Sequence, residues 1–359
     1  MDDTKKWVLQ SGKRAEDVLY TFGMKCTTEY ICHSFIIDPS DVSYIHHNVF
    51  SQAELEEIID MSKKAFPDIP EQLRDCINSF NKNNTTDLRQ SILIKQPWDE
   101  HYDSITHGDF DWVQNTVYNI VRLYESNDLQ RPHLEQWYNM HIWRFFDTIY
   151  DGLEQIKVVQ GEGSSKASAA RKNLGRPLGS IDPLESKKCG HKCGLVLRSL
   201  STEHDAPYEY GAGESDRSFG GVDCSKTLIE SGIKLPKILK DIFDDIARHA
   251  GLNKGKLTRL ETVSYITAGL PYFLLRYDAP TSYCGRITRS KVLHIPSSVT
   301  SFGNHVLPCL VLPWTIKEII SHILAMFDEP DDGISSNDSA WLQICLLPAP
   351  NLSPSIVVP

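Results

Sequence analysis

The chain has no apolar run approaching the roughly 20 residues of a membrane span, and its first residues, MDDTKKWVLQ, hold no apolar leader segment. It therefore reads as a soluble, intracellular protein with no membrane partner. Excess positive charge is also missing: 37 Lys and Arg face 47 Asp and Glu, for a net charge of −10. The surface as a whole does not fit a polyanion, and any nucleic-acid site has to be a local basic patch. No tandem repeat with a period of roughly 20–50 residues is present, which excludes a solenoid. No Ser-His-Asp or Cys-His constellation stands in an elbow or strained turn. No glycine loop suits phosphate either: GAGES lacks the lysine of a P-loop and GEGSS has the wrong spacing. The pair Cys189 and Cys193, with His191 between them, has no matching Cys/His pair downstream, so a closed four-ligand zinc site is not formed. Nine cysteines, odd in number and scattered, read as reduced thiols.

What is present suffices for a sizeable core: 359 residues, 41% of them hydrophobic. Residues 1–50 give only weak signals, strand-like around Tyr30 to Ile37. Ser51 with Glu54 forms a capping box, and Leu55, Ile58 and Ile59 follow at helical spacing. A second helix is expected over 111–125. A third, over 132–151, carries Trp137, Tyr138, Ile142, Trp143, Phe145 and Phe146 and is expected to be buried between other elements. A short strand over 156–159 follows. The segment 161–186, with Lys166, Arg171 and Lys172, is either a loop that touches phosphates or, more commonly for such composition, a solvated connector. An amphipathic helix is expected over 233–249, then three antiparallel strands from Leu257 onward. The last of these bears Arg286, Arg289 and Lys291, which fit either phosphate contacts or protection of a sheet edge. Gly303 to Pro313 reads as a loop, Trp314 to Phe327 as a helix, and 329–359 as an acidic, Pro-rich tail.

The stretch from Lys187 to Glu214 orders the rest. Two strands, Leu195 to Leu200 and Tyr208 to Gly213, flank a polar turn with Asp205, and the second ends on Glu214 among glycines. A hairpin ending in a carboxylate and followed by a long helix is the layout in which nucleases hold a divalent ion. On these residues the chain resembles the PD-(D/E)XK nuclease superfamily and, more closely, nuclease-like proteins of early-diverging (mucoromycete) fungi. The matching positions are Glu135, Tyr138 and Trp143; Gly161, Glu162, Ser165, Ala167, Ser168, Arg171, Lys172 and Asn173; and Glu209, Gly211, Ala212 and Glu214.

The resemblance implies an α/β (α+β) fold with a mixed central sheet flanked by helices. A restriction-endonuclease-like core would occupy 131–328, with a mainly helical N-terminal addition over 1–130. It also implies a relic catalytic site of Glu214, Glu209 and Glu135, with Glu214 as the metal ligand. Two departures stand against activity: Gly194 aligns with the metal-binding Asp, and Asp216, beside Arg217, aligns with the catalytic Lys. The expected function is therefore a catalytically degenerate nuclease-like protein that binds DNA or RNA through Lys166, Arg171, Lys172, Arg289 and Lys291. No cofactor is expected, Mg²⁺ entering only with an active site. The alternatives are an active Mg-dependent nuclease, with Asp205 or Asp182 and Arg217, Lys192 or Lys226 supplying the missing groups, and a protein-interaction scaffold.

Overall fold

Glycine at position 211 lets two strands meet closely: a Cβ there would lie 2.5 Å from the Val263 carbonyl oxygen of the neighbouring strand. The computed structural model describes residues 1–174, 186–200, 208–217, 230–249, 254–281 and 283–329. Among these, one mixed sheet has eight strands: β1 (Ile36–Ile37), β2 (Ile156–Ser164), β3 (Lys192–Ser199), β4 (Glu209–Asp216), β5 (Glu261–Ala268), β6 (Pro271–Asp278), β7 (Gly285–Arg289) and β8 (Leu293–His294). Their order is β1-β7-β6-β5-β4-β3-β2, with β8 beside β6. β2, β3 and β4 form an antiparallel meander, β5 runs parallel to β4, and β1 runs parallel to β7. The two expected hairpin strands thus lie in one sheet, as β3 and β4.

The helices are α1 (Ala15–Gly23), α2 (Ser43–His46), α3 (Gln52–Asp60), α4 (Glu71–Ser79), α5 (Thr85–Ile92), α6 (Ser104–Glu125), α7 (Glu135–His141), α8 (Phe145–Thr148), α9 (Lys166–Asn173), α10 (Leu235–His249), α11 (Lys254–Arg259) and α12 (Phe302–Asp328). Parallel strands need a crossover, and α10 lies between β4 and β5 in the chain and packs on β4, β5 and β6. Its Leu235, Ile238, Leu239, Ile242 and Ile246 are wholly buried. The opposite face carries aromatic rings: Phe146 stacks on Tyr265 with centroids 4.2 Å apart, and Trp143 meets Tyr272 edge-on at 5.1 Å.

The capping box on α3 is present, Ser51 and Glu54 bonding each other's backbone N–H. The expected third helix is instead broken at Ile142–Arg144. None of the α7 residues is buried, whereas Phe145 and Phe146 of α8 are. The weak segment 1–50 acquires its order from a second apolar cluster, with Trp7, Leu19, Tyr44, Phe50 and Ile58, and it supplies β1. Because β1 pairs with β7, β7 is not a sheet edge, and Arg286 has another task. Its guanidinium pairs with Asp278 at 2.6 Å and donates to the carbonyls of Ile58, Ile59 and Met61 at the end of α3.

The expected loop 303–313 is also overturned, being the first half of the single helix α12 despite Pro308 and Pro313. Pro313 has no N–H for the Cys309 carbonyl four residues earlier. The buried Tyr272 hydroxyl donates to that carbonyl at 2.9 Å and closes the gap. Read as one helix, 299–328 is long and apolar enough to cross a membrane by length and composition, which the two prolines had concealed. In the fold, Val306, Leu310, Ile316 and Ile320 of this helix are core residues. Tyr272→Phe keeps the ring and removes the donor, so it should cost about 1–3 kcal/mol of stability, measured by urea unfolding; an unchanged midpoint would refute the hydroxyl's role.

Candidate functional site

Glu214 stands near the end of β4, 6% exposed. Its Oε1 lies 2.6 Å from the Nζ of Lys234, which ends a π-helical turn, Glu230–Lys234, leading into α10. Burial disfavours the Lys234 ammonium, but the Glu214 carboxylate outweighs it and holds the lysine above its ordinary range. Across the β3–β4 ladder Leu195 faces Gly213, which puts Gly194 beside Glu214. A Cβ on Gly194 would lie 3.5 Å from the Gly213 carbonyl oxygen and 3.8 Å from the Glu214 Cα, ordinary contact distances. Packing therefore does not demand glycine at 194, and a carboxylate there would stand next to Glu214.

Glu209 serves a different purpose from the one expected. It pairs with Arg198 at 2.7 Å, accepts from the Ser165 hydroxyl at 2.7 Å, and accepts from the backbone N–H groups of Lys166 at 2.8 Å and Ala167 at 3.2 Å. A carboxylate thus sits on the first turn of α9, where free N–H groups and the helix dipole favour it. With these partners Glu209 is a structural anchor. Glu135 opens α7, half-buried. Among the described residues no group of three or more His, Cys, Asp and Glu is placed to hold a metal ion.

Of the migrated-site candidates, Arg217 and Lys192 are among the described residues. Arg217 Nε donates to the His133 carbonyl at 3.2 Å. Lys192 is exposed at the start of β3. Asp182, Asp205 and Lys226 lie outside the described residues. Magnesium requires several oxygen ligands in tight geometry. Gly194 offers no side-chain oxygen beside Glu214, and one Glu214 oxygen carries the Lys234 ammonium.

The basic residues divide. Arg289 is taken by Asp38, at 2.7 Å, and by the Ser231 carbonyl, at 3.0 Å, so it ties the segment after β1 to the turn before α10 rather than facing phosphate. Lys291 is exposed beyond β7, and Lys166 is exposed on α9. Arg171 pairs with Asp241 at 2.6 Å and Lys172 donates to the Cys189 carbonyl at 3.2 Å. Lys237 pairs with Glu29. The charges of Arg171, Lys172, Lys237 and Lys234 all bear on His191. Burial, followed by the charges of Lys172, Lys237, Arg171 and Lys234, pushes its ring down to about 4. Sequence reasoning weighed His191 only for zinc and assigned no site role to Lys234 or Lys237. The available signal was the three-residue spacing of Lys234, Lys237 and Lys240, which puts basic groups on the same side at the start of α10.

Two measurements follow. Glu209→Ala leaves Arg198 without its carboxylate and the Lys166 and Ala167 N–H groups without their acceptor, and should cost about 3–5 kcal/mol in chemical denaturation; a loss below about 1 kcal/mol, roughly that of an exposed pair, would contradict the anchor. His191 takes its proton near 6.5 when unconstrained and near about 4 when folded. Between these values the unfolded chain binds more protons, so stability falls as pH falls through this window, by up to about 3 kcal/mol. His191→Gln should remove that part of the pH dependence, as read by denaturation at stepped pH.

No protein-family model, curated protein or solved structure matches the chain.

Proposed function

We propose that the chain is a catalytically degenerate PD-(D/E)XK nuclease-like protein that has kept a nucleic-acid-binding face. The order of elements supports this reading: helices α7 and α8, the meander β2-β3-β4, helix α10, then β5 parallel to β4. It is the order that the resemblance of the sequence calls for. The observation that carries the loss of activity is the environment of Glu214. A divalent ion would need a second carboxylate beside it, and the neighbouring position is Gly194. The ion's positive charge is supplied instead by Lys234 at 2.6 Å. The carboxylate is thus neutralised by the protein itself and has no water-activating centre to hold.

What the face retains is positive charge. The charges of Arg171, Lys172, Lys234 and Lys237 all bear on His191 in a protein of net charge −10. Arg171 and Lys172 were expected on this face from the sequence. Each cation has a protein partner, so a phosphate would share or replace that partner rather than meet a bare charge. One observation also favours the active alternative: a lysine contacting Glu214 can act as the fixed cation that Asp216 cannot.

Titrating Mg²⁺ or Mn²⁺ into the full chain by calorimetry, with plasmid cleavage in parallel, tests the proposal. The expected result is neither binding heat nor cleavage. Metal-dependent cleavage abolished by both Glu214→Gln and Lys234→Ala would overturn the degenerate reading in favour of the active one. Gly194→Asp with Asp216→Lys should gain metal binding, provided a circular-dichroism melt shows the variant folded. For nucleic-acid binding, Lys172→Glu and Lys237→Glu should weaken duplex DNA binding and each lower the salt slope by about one unit.

A further inference from the structure

The half of the expected third helix that the core does not absorb has a surface of its own. His133, just before α7, and Trp137 and His141 within it recur at four-residue spacing, and their rings form a column. The His133 ring lies on Trp137 with centroids 3.5 Å apart and planes 9° apart. The His141 ring stands 4.9 Å away at 31°. His133 is fixed by its Nε2, which donates to the Asp128 carbonyl at 2.8 Å, so one end of the column is rigid and the other, exposed His141, faces solvent. The column lines a groove of about 570 Å³ with Leu134, Met140 and Arg217. Among the described residues no carboxylate lines it. In a chain with ten more acidic than basic residues, an acid-free groove with an exposed guanidinium complements an anionic partner.

We propose that this groove binds a single nucleic-acid strand, an unpaired base extending the ring column on the His141 side and Arg217 meeting the backbone phosphate. The inference rests on the nuclease-like reading, since Arg217 is three residues from Glu214 on the same segment, and it names the strand type that the face would select. Chemistry favours this occupant. Every base has a π-face that an aromatic column accepts without regard to sequence, and the adjoining cation tracks the phosphate. A duplex keeps its bases stacked inside and offers the column nothing.

The test uses the full chain and two fluorescent probes, a short oligothymidylate and a duplex of equal length, followed by anisotropy. Trp137→Ala and Arg217→Ala should each weaken oligothymidylate binding about tenfold, with duplex binding changed less than about twofold. Trp137→Phe should retain most of the affinity, which separates stacking from a folding defect, and a circular-dichroism melt accompanies each variant. Equal losses for both probes, no loss with Trp137→Ala, or no binding of oligothymidylate by the unmodified chain would overturn the proposal. So would sedimentation showing a dimer that Leu134→Lys and Met140→Lys dissociate while oligothymidylate binding is unchanged, since the groove would then be covered by a second copy. The broader reading has a separate readout. Lys172→Glu and Lys237→Glu acting on the duplex with Trp137→Ala silent would sink the groove alone, whereas no binding of either probe would sink both.

Discussion

The parallel pairing of β4 with β5 is the constraint on which the rest of the fold depends. It joins the antiparallel meander on one side of the sheet to the hairpins on the other. It requires a crossover, which makes α10 the cover of one face. It also requires small residues. At Gly211 any side chain would strike the Val263 carbonyl, and at Gly213 a Cβ would press on the Tyr265 ring at 3.1 Å. Glu214 reaches its place because those glycines let its strand run straight alongside β5. The same geometry leaves the opposite face to Tyr265 and its stacked partner Phe146.

Around this join the protein handles buried charge by pairing it. Arg198 with Glu209, Arg276 with Glu261, and Arg286 with Asp278 are each ion pairs of 2.6–2.7 Å with both side chains largely out of water. Such pairs add little net stability over apolar residues of equal shape, because desolvation consumes most of the Coulomb gain. Their contribution is positional. Arg276 also donates to the carbonyls of Lys64 and Ala65, and Arg286 to the end of α3, so the chain leaving the N-terminal cluster can cross the sheet in only one way. The Glu214–Lys234 pair follows the same pattern, with the difference that it lies where the resemblance calls for a metal.

Much of this architecture was legible in the sequence where a local rule decided it. The capping box at Ser51, the β3–β4 hairpin and the amphipathic α10 depend on short-range chemistry and hydrophobic period, and the alternation after Leu260 gave β5 and β6. What escaped was decided by distant partners. Residues 1–50 look featureless because their order comes from packing on Cys284 and from pairing with β7. Pro308 and Pro313 signalled a loop, and at Pro313 a tyrosine from another element takes the carbonyl that the proline leaves without its N–H. The candidate site was half legible. The resemblance pointed to Glu214 and its neighbour Gly194, but the cation that answers Glu214 comes from twenty residues further along, and Glu209 looks like a ligand until its bonds to the first turn of α9 are seen.

The prolines of α12 make the helix dependent on the sheet in time as well as in space. During synthesis β6, with Tyr272, leaves the ribosome well before Pro313. An apolar helix of this length, left bare, would invite capture by a lipid phase or by other nascent chains. Here the surface that receives it, together with the hydroxyl that repairs its broken hydrogen bond, is already made when it emerges. Chain order thus gives the most apolar segment of the protein a prepared destination.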